Sequence, residues 1–73
     1  METKIKYGKN NFKIIKNWYD HYINKNRLGY TIFIYSQTEK DYIVIADANS
    51  YYKALKFLVK YYNKNTTKEL LNP

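Results

Sequence analysis

Apolar residues recur along this chain in more than one rhythm, and each rhythm predicts a different element. Phe12, Ile15, Trp18, Tyr19, Tyr22 and Ile23 are spaced by threes and fours. Projected as a helix they span about 140° of its circumference, with Lys13, Asp20, Asn24 and Arg27 opposite. That stripe predicts a helix over residues 11–26, capped by the polar run at 9–11 and ended before Gly29. The rhythm then shortens. Residues 30–35 (YTIFIY) and 41–46 (DYIVIA) are rich in β-branched and aromatic side chains and flank a polar SQTEK, which predicts a hairpin. With Tyr35 opposite Tyr42, Ile32 and Ile34 share one face with Ile43 and Ile45, while Phe33 and Tyr35 share the other with Tyr42 and Val44.

Helical spacing returns at residues 51–64, YYKALKFLVKYYNK, where Leu55, Leu58 and Tyr62 face inward and Asn49 or Ser50 supplies the cap. Its Lys53, Lys56, Lys60 and Lys64 fall within about 80° of one another. At the start of the chain, KIKY at 4–7 alternates as a short edge strand does, and Gly8 breaks it. Thr66 and Glu69 have the spacing of a capping box, so TTKELL reads as a last helical turn that docks Leu70 or Leu71. Together these elements predict one α+β domain over residues 1–73. It is a small two-layer sandwich of order β-α-β-β-α, two helices on one face of a two- or three-stranded, mainly antiparallel sheet.

Composition changes this picture in two respects. A chain of 73 residues buries only about 60% of the surface it exposes when unfolded. Without cysteine and with one histidine, it has neither a disulfide nor a Cys/His zinc site to add stability. A dense aromatic core and self-association, as in a homodimer, are the remaining routes. The second change is charge. The net charge is +7, which favours polyanionic partners. Residues 1–27 carry seven basic and two acidic side chains, 28–47 one and three, and 48–73 five and one. The expected helices are basic and the hairpin is acidic.

Lys13 and Arg27 on the first helix and Lys53, Lys56, Lys60 and Lys64 on the second would then join into one lysine-lined surface able to hold phosphates. The plainer account is that an amphipathic helix needs a solvated side. Lys, Asn, Ile, Tyr and Phe make up 42 of the 73 residues, and all five have AT-rich codons, so genome composition alone supplies lysine for that side. The aromatic hairpin face carries Phe33, Tyr35 and Tyr42. These suit either a protein interface, where tyrosine is enriched, or stacking of single-stranded bases.

Catalytic chemistry finds no footing. His21 and Asp20 are neighbours that point about 100° apart on a helix, Ser36 and Ser50 sit at a turn and a helix start, and Glu39, Asp41 and Asp47 read as a solvated hairpin tip. Gly8 and Gly29 are isolated, which excludes a glycine-rich phosphate loop. No cofactor or metal is expected. The longest apolar run, residues 28–35, is far short of a membrane span, and no targeting segment is visible, so the expected location is cytoplasmic.

In size and composition the chain resembles the small accessory proteins of phages and mobile elements. Many of these act in the host cytoplasm by docking on a host protein or nucleoprotein machine, anti-CRISPR proteins among them. The resemblance implies a non-enzymatic, inhibitor-like binding protein whose target is a protein or nucleoprotein. The alternative is a sequence-nonspecific DNA- or RNA-binding protein that uses its lysine-lined helices.

Overall fold

Tight turns set the topology. The computed structural model describes residues 2–71, with side chains as far as Lys64. Strands β1 (Glu2–Tyr7), β2 (Asn10–Asp20), β3 (Lys25–Ser36) and β4 (Asp41–Ala48) form one antiparallel sheet in sequence order, and helix α1 (Tyr51–Leu71) follows. Gly8 takes φ 64° at the first central position of the β1–β2 turn, the pattern of a II′ hairpin. The other two turns each span four residues and end on a left-handed residue, Asn24 at φ 56° and Lys40 at φ 56°. At the second of them the Ser36 hydroxyl accepts the Glu39 N–H at 3.2 Å.

The two-helix sandwich is therefore corrected. Residues 11–26 form most of β2, a turn and the start of β3, and the sheet has four strands with a single helix. The physical reason lies at Asn17. Phe12 and Ile14 point to the α1 side of the sheet, but Asn17 adopts φ 53° and the register slips between Lys16 and Trp18. That bulge turns Trp18 and Asp20 to the opposite side. A strand that changes face midway mimics a spacing of three and four. Counting at helical period also skips Ile14, which is 2% exposed, and includes Tyr22, which is fully exposed.

The later elements match their sequence patterns. Tyr35 pairs with Tyr42, Ile34 with Ile43 and Phe33 with Val44, until an extra residue in β4 shifts the partner of Ile32 to Ala46. Ser50 is the N-cap of α1, its hydroxyl accepting the Lys53 N–H at 3.2 Å. The capping box of Thr66 and Glu69 and the docking of Leu70 or Leu71 lie outside the described side chains.

Phe12, Ile14 and Ile32 from the sheet meet Ala54 and Leu58 of α1, all buried, and form the core. Fully burying a side chain of the Ile, Leu or Phe class stabilises by about 1.5–3 kcal/mol, and four of that class are in this cluster among the described residues. Rings extend it along the helix. Tyr51 packs edge-on against Tyr30 at 5.9 Å, Tyr61 against Phe12 at 6.4 Å and Tyr62 against Tyr7 at 4.8 Å. Three of the four tyrosines in α1 thus serve packing, and Tyr52 is left in solvent. Among the described residues no helix is long and apolar enough to cross a membrane.

Candidate binding face and hairpin groove

With α1 on one side, the other face of the sheet is open for function. Register lays its side chains in rows. Lys4 of β1 opposes Lys13 of β2, Lys13 opposes Phe33 of β3, and Phe33 opposes Val44 of β4. The next row toward the β1–β2 turn carries Lys6 opposite Asn11 and Tyr35 opposite Tyr42. The row on the other side carries Glu2, Ile15, Thr31 and Asp47. Phe33, Tyr35 and Tyr42 therefore share this face. The Tyr35 and Tyr42 rings meet edge-on at 5.4 Å, and the Lys13 ammonium sits 4.5 Å from the Tyr42 ring centre and 5.1 Å from that of Phe33.

Phe33 is not available to a partner as it stands. Only 4% of it is exposed, because Trp18 packs edge-on against it at 5.0 Å. Trp18 arrives there because the β2–β3 hairpin outruns both neighbours, bends at Asn17 and Gly29, and curls toward β4. The backbone N–H of Gly29 donates to Asn17 Oδ1 at 3.3 Å, tying the two bend residues together. Tip residues His21, Tyr22 and Ile23 and the β4 residues Tyr42 and Val44 consequently line one groove of about 590 Å³. Trp18 and Phe33 form part of its wall, and Glu39 and Asp41 part of its rim.

A polar clamp fixes the curl. Asp20 is 3% exposed. One of its oxygens accepts the N–H groups of Tyr22 and Ile23 at 2.9 and 3.4 Å, and the other accepts Arg27 Nε at 2.7 Å. Arg27 Nη1 reaches Asp47 at 2.7 Å, and the buried Thr31 hydroxyl donates to the second Asp47 oxygen at 2.7 Å. The Tyr19 hydroxyl bonds Asn24 across the tip. No buried side-chain polar atom among the described residues lacks a partner. A satisfied network of this kind holds a loop in one conformation.

The clamp has a pH signature. The Arg27 hydrogen bond, against the opposing effect of burial and with help from the Tyr22 and Ile23 N–H groups, holds Asp20 below the ordinary carboxylate value of 3.8. Folding lowers this pKa, so the stability it contributes is fully present above 3.8 and is lost as pH falls through the folded-state value. Urea denaturation followed down to pH 2 should show this loss in the wild type, and Asp20→Asn should flatten that part of the profile. An unchanged profile in the variant would assign the acid sensitivity elsewhere.

The structure separates the basic residues that the sequence pattern would join. Lys13 and Arg27 stand on the open sheet face, Arg27 within the clamp, whereas Lys53, Lys56, Lys60 and Lys64 lie exposed on α1. The helix-period stripe also conceals the tip. Among the described residues, three exposed large apolar side chains lie in or beside the turn, Tyr19 at 39%, Tyr22 at 100% and Ile23 at 52%, and Leu28 at 80% stands at the bend of the same hairpin. The signal that marks them is the pair of asparagines at 17 and 24, both left-handed, since Asn tolerates left-handed backbone better than most side chains.

Among the described residues no three His, Cys, Asp or Glu side chains converge as metal ligands. Comparison with protein-family models, curated proteins and solved structures finds no match for this chain.

Proposed function

We propose that this chain is a non-catalytic binding protein that docks on a protein or nucleoprotein target through the tip of the β2–β3 hairpin and the groove beside it. The observation that carries this reading is the tip itself. Tyr19, Tyr22, Ile23 and Leu28 stand in water on a ribbon whose shape is held by the buried Asp20 and its clamp. Exposed apolar side chains on a fixed scaffold mark interaction sites, here on both faces of one ribbon with Tyr22 and Ile23 lining the groove, and a pre-organised loop loses little conformational entropy on docking. His21 supports the non-catalytic part, since it is exposed in the turn and its ring neighbour is Tyr19 at 4.9 Å. Acid or base catalysis would require a positioned proton partner.

A tagged pull-down from lysate tests the reading. A specific protein should be retained with and without nuclease and lost with Tyr22→Ser/Leu28→Ser. Equal retention by that variant would remove the tip from consideration.

A second reading rests on α1. Lys53, Lys56, Lys60 and Lys64 are exposed, and residues 51–64 contain no acidic side chain, so the helix surface can contact a phosphate backbone directly. It requires retention on bulk DNA or RNA that falls steeply with salt and is lost when Lys53, Lys56 and Lys60 become Glu.

A further inference from the structure

We propose that the β1–β2 half of the open sheet face, together with the adjacent tyrosine pair, binds single-stranded nucleic acid. Lys4, Lys6 and Lys13 hold phosphates, and Tyr35 and Tyr42 pack the bases. This surface is separate from the hairpin tip and from the lysines of α1.

The first observation is an electrostatic imbalance that folding does not relieve. Lys4 and Lys13 are direct cross-strand partners, an arrangement that destabilises a sheet when the charges are alike. Lys13 has Glu2 at 3.8 Å, but among the described residues neither Lys4 nor Lys6 has a carboxylate within ion-pair distance. Of the other acids near this face, Asp20 and Asp47 are held by Arg27, while Glu39 and Asp41 lie across the sheet at the groove rim next to Tyr42. The β1–β2 half, with Lys4, Lys6 and Lys13 against the one carboxylate of Glu2, presents net positive charge, and an anion is the ligand that compensates it.

The second observation selects the kind of anion. Trp18 covers Phe33, yet Tyr35 and Tyr42 are only partly buried, one row away and beside the lysines. Lys4 and Lys6 lie two residues apart on one strand, about 6.8 Å, comparable to one nucleotide of a stretched strand. Single-stranded nucleic acid offers repeated phosphates with splayed bases, and proteins bind it by pairing basic tracks with aromatic side chains. A duplex hides its bases, and an acidic protein surface does not repeat phosphate-like charge and flat rings at one spacing as a single strand does.

Fluorescence anisotropy with a labelled oligothymidylate of about 12 nucleotides, using the full chain, tests the proposal. Binding should weaken steeply with salt. Lys4→Glu/Lys6→Glu should reduce affinity at least tenfold, and Lys53→Glu/Lys56→Glu/Lys60→Glu should leave it within about threefold, a single released counterion being the scale of such a change. Tyr35→Leu/Tyr42→Leu should weaken oligonucleotide binding several-fold while heparin, a polyanion without bases, binds as before.

Amide chemical shifts of the wild-type protein add a readout independent of variant folding, and they should move at Lys4, Lys6, Lys13 and Tyr42. The proposal is overturned by no binding at low salt, or by shifts and losses that map to α1. It is equally overturned by tyrosine variants that leave oligonucleotide binding intact, which would assign the face to acidic surfaces in general. Tyr22→Ser/Leu28→Ser should bind the oligonucleotide normally, so failure of tip docking and failure of this proposal remain distinguishable.

Discussion

Gly29→Ala is expected to be among the most damaging single-methyl additions to this protein. Gly29 holds φ 90°, a conformation that costs an L-residue about 1–3 kcal/mol. The added Cβ would also lie 2.6 Å from the carbonyl oxygen of Ala48. That oxygen is main chain at the end of β4, two residues before the Ser50 cap of α1, so it cannot move without disturbing the helix start. Relief by straightening the bend would pull Arg27 from Asp47 and lift Trp18 from Phe33. The whole domain has roughly 4–11 kcal/mol to lose. A loss of about 2 kcal/mol lowers the melting temperature by roughly 8–16 °C in a domain of this size. Thermal unfolding by circular dichroism measures it, and a change of only a degree or so would show that the bend tolerates a side chain.

Gly8 offers a control because the atoms in the way are of a different kind. Its φ is 64°, and an added Cβ would meet the outer ring of Tyr62. A tyrosine can swing aside, whereas the Ala48 carbonyl cannot, which ranks the Gly29 site as the more costly of the two. The same comparison separates what each end of the sheet does: Gly8 admits the helix over the β1–β2 turn, and Gly29 admits the curl that builds the groove.

How much of this was legible in the sequence depends on whether local pattern and tertiary fold agree. The pairing of Tyr35 with Tyr42 was legible, because one register separates aliphatic from aromatic side chains and a slip would mix them. The cap was legible from residue type as Asn49 or Ser50, of which the structure uses Ser50, and the buried side of α1 was legible from its period. Residues 11–26 were not. The bulge at Asn17 switches faces within one strand, and both faces of β2 carry apolar residues because the hairpin it belongs to covers part of its own sheet. β-Branched and aromatic content argued for a strand there, against a spacing that argued for a helix. The site followed the same division. Phe33, Tyr35 and Tyr42 share a face as the hairpin pattern required, but their neighbours Trp18, Lys13 and Arg27 were assigned to a helix and so could not be placed beside them.

The tip substitutions should separate binding from folding, and this is where the largest functional effect is expected. Tyr22 and Leu28 are 100% and 80% exposed, so replacing both with serine removes almost nothing from the folded interior. Substitutions at such surface positions usually change stability by no more than about 0.5 kcal/mol, and the melting temperature should stay within a few degrees. A central interface residue, by contrast, often contributes 2 kcal/mol or more, about 30-fold in affinity. Loss of at least that much affinity for the captured partner, measured by surface plasmon resonance with an unchanged melting curve, is therefore the expected result. Arg27→Ala should reach a similar loss of binding by another route. It leaves the tip side chains in place but strips Asp20 and Asp47 of their shared cation, so the ribbon loses its fixed shape and docking must re-order it. The two variants differ in what compensates them. Locking the bend with a disulfide between β2 and β3 should restore binding to Arg27→Ala and do nothing for Tyr22→Ser/Leu28→Ser. If the disulfide rescued neither variant, the clamp would be a device for folding alone, and the tip would bind, if at all, without needing its shape held in advance.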